Sequence, residues 1–350
     1  MVTIYDIAKE AKVSPATVSR VLNSQGNVKE ETARKVQKIA RAHNYAPNVM
    51  ARSLRTKRSN LIGLIIPDIE NPIYPAPVRG IQDVANLHDY SVVIHSTDGN
   101  ERKEIETIRR LRAVGVDGLI INISESSGLL ANEIDKLRKT GDLPIVALGP
   151  WYPELGIDCV SVDNEKGAYL ATEHLLKLGR RRIGMISGPT DNPISQERLR
   201  GFEKALTDYC IETAGELICE GNYKMGSGYN AAKKLLTQRR PDALFCANDL
   251  MALGAMRAIQ EEGLKIPEDI GLIGFDDIDF AALASPTLST VTQPKYETGK
   301  LAAELLFERI EEDTQPARYY SVEPNLAVRE TTIKVRQTPV RRVETIEQET

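Results

Sequence analysis

Apolar residues near the N-terminus recur at helical spacing in three short blocks. Ile4, Ile7, Ala8 and Ala11 share one face of a first helix behind a Thr3 cap. Val18, Val21 and Leu22 share a face of a second, and Ala33, Val36 and Ala40, with Ile39 on the flank, a face of a third. The second block opens on Ser14-Pro15. A serine oxygen can accept from the free N–H groups of a first turn, and proline at the first helical position has no N–H to leave unbonded. Only two or three residues around Lys12-Val13 separate the first two helices, and Asn27 with Glu30 has capping-box spacing for the third. With its apolar face turned inward, the second helix presents Ala16, Thr17, Ser19 and Arg20. Three short helices with a tight turn between the first two describe a helix-turn-helix, whose second helix enters the DNA major groove.

From Leu61 onward the period changes. Near-continuous apolar runs at 61–66, 91–95, 118–122 and 144–148, then at 182–187, 217–220, 243–247 and 270–275, alternate with amphipathic helices. That pattern predicts parallel sheets covered on both faces. The runs also repeat. Leu61-Ile62-Gly63-Leu64-Ile65 matches Arg182-Ile183-Gly184-Met185-Ile186 at an offset of 121. Asp117-Gly118-Leu119-Ile120 matches Asp242-Ala243-Leu244-Phe245, and Ile145-Val146-Ala147-Leu148-Gly149 matches Ile270-Gly271-Leu272-Ile273-Gly274, both at 125. Two similar α/β lobes follow, with a ligand cleft at the carboxyl ends of their strands. A helix at 296–310 and the segment 321–328 return late to the two lobes.

The expected fold is therefore an all-α helix-turn-helix head (1–46), a short hinge helix and basic linker (47–60), and an α/β core of two similar parallel-sheet lobes (61–334). Lobe one takes about 61–160 and 292–322, lobe two about 161–291 and 323–334. Two turns of helix behind Asn48 do not hold together alone in water, so the hinge should order only when something packs on it. Residues 335–350 read as a disordered polar tail.

Charge sharpens the functional reading. The net charge of −4 hides a head and linker (1–58) with 12 Lys/Arg against 4 Asp/Glu, and a remainder with 33 against 45. A basic end on an acidic body points to a polyanionic partner for the head alone. No stretch is long and apolar enough for a membrane helix, and the N-terminus runs straight into capped helix, so a cytoplasmic protein is expected. Cys159, Cys210, Cys219 and Cys246 have no metal-ligand spacing and are expected as reduced thiols. Catalytic signatures are missing. His43, His88, His95 and His174 are too dispersed for a metal pair, and no glycine-rich phosphate loop, paired-histidine zinc motif or nucleophile elbow occurs. No enzyme and no cofactor are expected.

Several motifs resemble the lactose/galactose repressor (LacI/GalR) family. In the head and hinge they are Thr3-Ile4-Tyr5-Asp6-Ile7-Ala8, Ala16-Thr17-Val18-Ser19-Arg20-Val21-Leu22-Asn23, Tyr45-Ala46-Pro47-Asn48, Ala51-Arg52-Ser53-Leu54 and Ile62-Gly63. In the core they are Ala247-Asn248-Asp249, Met251-Ala252, Gly274-Phe275-Asp276-Asp277 and Thr290-Val291-Thr292-Gln293-Pro294. The resemblance spans about Thr3 to Glu330. It implies a homodimeric, ligand-controlled transcriptional repressor on a pseudo-palindromic DNA operator, with a core like that of a periplasmic sugar-binding protein. It places Pro15, Ala16 and Arg20 on base edges, where Arg20 can donate twice to a guanine. Thr3, Ser14, Thr17, Ser19, Asn23 and Tyr45 then fall to the phosphates, Asn48 and Ala51 to further DNA contacts, and Leu54 to a wedge in the minor groove.

For the core, the resemblance makes Arg198 the effector-clamping arginine, with Asp276 as its partner carboxylate from the opposite lobe, and Tyr223 the aromatic wall. Tyr74, Asp163, Asn248 and Asp249 complete the expected effector site. Pro75 stands where some relatives carry an aromatic, which favours a sugar over a flat ring. Trp151, the only tryptophan, is expected near the cleft. The competing expectations are a regulator whose main effector is a phosphorylated carrier protein, as in catabolite control, and a sugar sensor without a DNA role.

Overall fold

The computed structural model describes residues 2–22, 28–45, 58–123, 128–141, 143–212, 214–311 and 316–333. Asn23, Asn27, Asn48, Ala51, Leu54, the hinge helix expected after Pro47 and the tail expected after Lys334 lie outside them. The chain divides into two compact units. One is Met1–Leu61 with Gly115–Asp117, the other Ile62–Val114 with Gly118–Thr350.

The first unit contains α1 (Ile4–Ala11), α2 (Pro15–Leu22) and α3 (Glu30–Ala42). Thr3 caps α1 in a capping box with Asp6: the Asp6 N–H donates to the threonine oxygen, and the Thr3 N–H donates back to the Asp6 carboxylate at 2.8 Å. Lys12 adopts a left-handed conformation (φ 57°) and ends the helix, and Ser14 accepts from the Thr17 N–H at 3.1 Å to start the next. A three-residue turn results. Ile7, Ala8, Ala11, Val18, Val21 and Val36 close a small core, on which Tyr45 packs. The third helix starts at Glu30 behind Lys29, whose side chain makes no capping bond. Asn27, the other half of the expected box with Glu30, lies outside the described residues.

Among the described residues the second unit has two six-stranded sheets. Lobe one orders its strands β11-β5-β4-β3-β1-β2, and lobe two β12-β10-β9-β8-β6-β7. The strands are β1 (Leu61–Ile66), β2 (Ser91–Ser96), β3 (Gly118–Asn122), β4 (Ile145–Leu148), β5 (Asp158–Val162), β6 (Ile183–Ser187), β7 (Ile218–Glu220), β8 (Ala243–Cys246), β9 (Gly271–Asp276), β10 (Ser289–Thr292), β11 (Tyr319–Val322) and β12 (Asn325–Ala327). Helices α4 (Pro75–Leu87), α5 (Glu101–Val114) and α6 (Gly128–Thr140) belong to lobe one. Lobe two carries α7 (Asn164–Lys177), α8 (Pro193–Asp208), α9 (Met225–Gln238), α10 (Asp249–Glu261) and the short α11 (Asp279–Leu283), and α12 (Lys295–Glu311) returns to pack on α4 and the lobe-one strands.

The sequence repeat reappears as equivalent places in the two sheets: β1 with β6, β3 with β8, β4 with β9. Its shared glycine has one physical cause in both halves. A Cβ on Gly63 would come within 2.5 Å of Leu119 on β3, and one on Gly184 within 2.9 Å of Leu244 on β8. Parallel pairing holds through the described registers except where β12 runs antiparallel to β10. Two strands, β5 and β10, were not anticipated, because Asp158, Ser161, Ser289, Thr290 and Thr292 interrupt the apolar pattern. Burial explains how they are tolerated. Asp158 lies between Arg309 and Arg318 at 2.7 and 2.9 Å, and Ser289 donates to the Arg329 carbonyl. The chain passes between the lobes three times: from β5 to α7, from β10 to α12, and from β11 to β12. No helix among the described residues is long and apolar enough to cross a membrane.

Candidate functional site

Parallel strands end on the same side, so the residue after each apolar run is presented at the carboxyl edge of its sheet. Asp68, Asn122 and Asn164 follow or end strands of lobe one, and Asn222, Asn248 and Asp276 strands of lobe two. They meet around a cavity of about 400 Å³ inside the second unit, within the range for small-molecule sites.

Arg198 sits near the middle of α8, 6 % exposed. Its Nε donates to Asn164 Oδ1 at 3.0 Å, its Nη1 to the Ala247 carbonyl, and its Nη2 to Asp276 Oδ1 at 3.5 Å. The guanidinium lies 3.6 Å over the Phe275 ring centroid, a cation–π contact. Arg198 and Asp276 were expected from opposite lobes. Both belong to lobe two, because α8 and β9 are elements of the same half. From lobe one, Tyr74 at the N-terminal boundary of α4 lines the same cavity, and its hydroxyl is pushed up by burial and by the nearby Asp276 carboxylate.

Asp276 is 3 % exposed and has φ 112°. A non-glycine residue there is strained, a feature that clusters at ligand clamps. Gln293 donates to its Oδ1 at 3.0 Å and Lys295 to its carbonyl at 2.9 Å, and burial pushes the carboxyl up to about 6 against the pull of Arg198 and Lys295. Tyr223 is held the same way. Its φ of 63° turns the ring into the cavity, and its hydroxyl shares a hydrogen bond with Ser195 at 2.5 Å. The amide of Asn248 donates to the Tyr223 carbonyl at 3.0 Å while its oxygen caps α10. Asn248 lines the cavity and also braces Tyr223.

Two expected residues are used elsewhere. Asp249 is fully buried with both oxygens occupied, by the Thr290 hydroxyl at 2.6 Å and the Ile278 N–H at 2.9 Å, and burial raises its carboxyl well above the usual range. It ties α10 to the β9 and β10 ends. Asp163 caps α7 through the Lys166 N–H, and the neighbouring Asn164 takes the place on the cavity wall. Trp151 packs on Tyr319, ring centroids 5.2 Å apart, and not on the cavity. Pro75 is exposed at the first position of α4, so its identity does not shape the wall. Sequence reasoning missed Asp68, Asn71, Asn122, Asn164, Asn192, Asn222, Lys224, Gln293 and Lys295. A polar residue just past an apolar run was the available signal for about half of them.

In the head, Pro15, Ala16, Thr17, Ser19 and Arg20 lie together on α2, with Ala16 and Arg20 exposed. Ser14 and Thr3 are helix caps whose hydroxyls already bond within the head. Tyr45, half-buried, follows α3.

Comparison with known proteins adds to this geometry. A family model described as bacterial regulatory proteins, lacI family, matches residues 3–48, and one for a periplasmic binding protein-like domain matches residues 172–332. The chain is 37% identical over 333 residues to the HTH-type transcriptional repressor PurR of Aliivibrio fischeri (strain MJ11), covering 94% of this chain and 98% of the relative. It is 36% identical over 331 residues to the ribose operon repressor of Haemophilus influenzae, with the same coverage. Among solved structures, a lac repressor dimer bound to operator and the anti-inducer ONPF matches with a TM-score of 0.85 at 31% identity, covering 95% of this chain and 99% of that one.

Proposed function

The chain belongs to the lacI family of bacterial regulatory proteins, and from that membership we propose a dimeric transcriptional repressor that binds a pseudo-palindromic operator through two heads and is controlled by a sugar or sugar derivative in its core. The observation that carries the ligand part is the meeting of Arg198, Asp276, Tyr223 and Asn248 with Tyr74 around one cavity at the strand ends. Asp276 accepts from one ligand hydroxyl while Arg198 donates to its neighbour, a pairing suited to adjacent hydroxyls. The tyrosine rings cover the apolar face of the ring.

The exposed face of α2 reads the operator in the major groove, Arg20 by two bonds to a guanine and Pro15 and Ala16 by apolar contact. Ligand in the cleft changes the angle between lobes and so the spacing of the paired hinges, a coupling usually worth about 1–3 kcal/mol. The relatives' names support repression, and the operator-bound dimer supports the two-headed arrangement.

A thermal-shift panel of sugars, sugar phosphates and purine bases, run on the full chain and on Arg198→Ala, tests the ligand reading. A ligand binding only the native state must raise the melting temperature. A hit lost in Arg198→Ala upholds it. A hit unaffected by Arg198→Ala removes the cleft from the proposal, and no hit at all leaves a phosphorylated carrier protein as the main effector, to be sought by pull-down.

A further inference from the structure

Among the described residues three cationic side chains line the cavity, and each is already engaged. Arg198 is bonded to Asn164, the Ala247 carbonyl and Asp276. Lys295 donates to the carbonyls of Asp276 and Asp277. Lys224 reaches from the start of α9 in lobe two to the loop after β1 in lobe one, where it pairs with Asp68 at 2.5 Å and with Glu70 at 3.7 Å. Against these three, the described residues of the wall include the carboxylates Asp68, Asp98, Asp191 and Asp276.

Both ends of the Lys224 pair are held by their own loops. Asp68 Oδ1 accepts from the Glu70 N–H at 3.0 Å, which aims Oδ2 at the lysine. Lys224 donates its backbone N–H to Asn222 at 3.1 Å, directly after the strained Tyr223. Of the three cations, Lys224 alone is half exposed, at 48% of its side chain. It is the one an incoming anion could recruit, and two carboxylates occupy it.

We propose that this cleft selects an uncharged polyhydroxylated ligand over its phosphate ester, and that Asp68 and Glu70 impose the choice by engaging Lys224. A phosphate monoester carries a charge of about −1.5 to −2. Seating it beside Lys224 draws the lysine from Asp68 and leaves that carboxylate next to another anion, a cost that an uncharged hydroxyl does not incur. Hydroxyls instead find acceptors in the carboxylates and donors in the asparagine amides of the same wall. The inference rests on the sugar reading above, so the two are tested in separate arms.

Calorimetric titration of the full chain would compare D-ribose and D-glucose with their terminal phosphate esters, and with inorganic phosphate, in the native protein and in the double variant Asp68→Asn/Glu70→Gln. The native protein should favour the free sugar by roughly tenfold or more, and the double variant should shrink that ratio by roughly tenfold. Inorganic phosphate should bind measurably only to the double variant, and adding Lys224→Met should abolish that binding. Equal or tighter binding of the ester by the native protein, or an unchanged ratio in the double variant, overturns the proposal. If neither sugar binds, the sugar reading fails and the inorganic phosphate arm decides alone: a gain dependent on Lys224 upholds the masking of Lys224, and no gain overturns it.

Discussion

The Arg198 guanidinium lies 3.6 Å over the centroid of the Phe275 ring, the residue just before Asp276 on β9. One strand thus supplies both the ring that supports the arginine and the carboxylate that pairs with it. Arg198 is held flat, its fork aimed by Asn164 on one side and Ala247 on the other. Replacing it with alanine leaves Asp276 buried with a weakened partner set. Arg198→Ala should lower unfolding stability by about 3 kcal/mol and abolish any ligand-induced rise in melting temperature. Arg198→Lys should recover part of the stability and little of the binding, since an ammonium lacks the planar fork. Denaturant titration and thermal shift together check both statements.

The raised carboxyl of Asp276 gives a pH dependence with a definite sign. Its native pKa of about 6 lies above the unfolded value near 4. Its contribution to stability is therefore fully present below about pH 4 and is lost as pH rises through about 6, an effect on the order of 2–3 kcal/mol. Ligand affinity should run the other way, falling as pH drops through 6 and the acceptor is protonated. Asp276→Asn should remove this part of the slope between pH 4 and 7.5. The slope is the readout, because absolute stability also loses a partner of Arg198. An identical slope in both proteins contradicts the assignment.

Gly201 lies one turn beyond Arg198 on α8, where the helix meets the backbone of α7. A Cβ there would sit 2.0 Å from the Glu165 carbonyl oxygen. Backbone cannot swing aside as a side chain can, so Gly201→Ala must move α8. A loss of about 1–3 kcal/mol is expected, together with weaker ligand binding as Arg198 shifts off Asn164. Ligand affinity unchanged alongside lower stability would separate the two effects.

Arg20 and Leu54 should fail in different ways on DNA. Arg20→Ala should lose about 1–3 kcal/mol of discrimination at one base pair while keeping most non-specific affinity. Leu54, outside the described residues, is proposed as the minor-groove wedge. Leu54→Ala should weaken operator binding and reduce DNA bending, with ligand binding intact. Anisotropy titrations on matched and mutated operators check the first substitution, and circular-permutation gel shifts the second.

Much of the architecture was legible because its causes are local. Caps and helical spacing marked α1 and α2, and apolar runs marked eight of the twelve strands. The strands β5 and β10 were not, since Asp158 and Ser289 become acceptable only beside Arg309, Arg318 and the C-terminal segment, all distant in sequence. The cavity was partly legible. Arg198, Asp276 and Tyr223 came from the resemblance, Tyr74 and Asn248 from their places at a helix start and a strand end, and all five line one cavity, whereas Asp163 and Asp249 carry no mark in sequence that separates a ligand contact from a helix cap or a buried tie.

The sequence by itself determined the basic helix-turn-helix head, the period change at Leu61 and the doubled α/β pattern, because capping, amphipathic spacing and strand burial act within a few residues. Only the tertiary structure decided that Arg198 and Asp276 share a lobe, that Asp249 turns inward, and that Lys224 crosses the cleft to Asp68 and Glu70. Those pairs are separated by up to 156 positions. Their groups meet only once the packed sheets have brought the strand ends together.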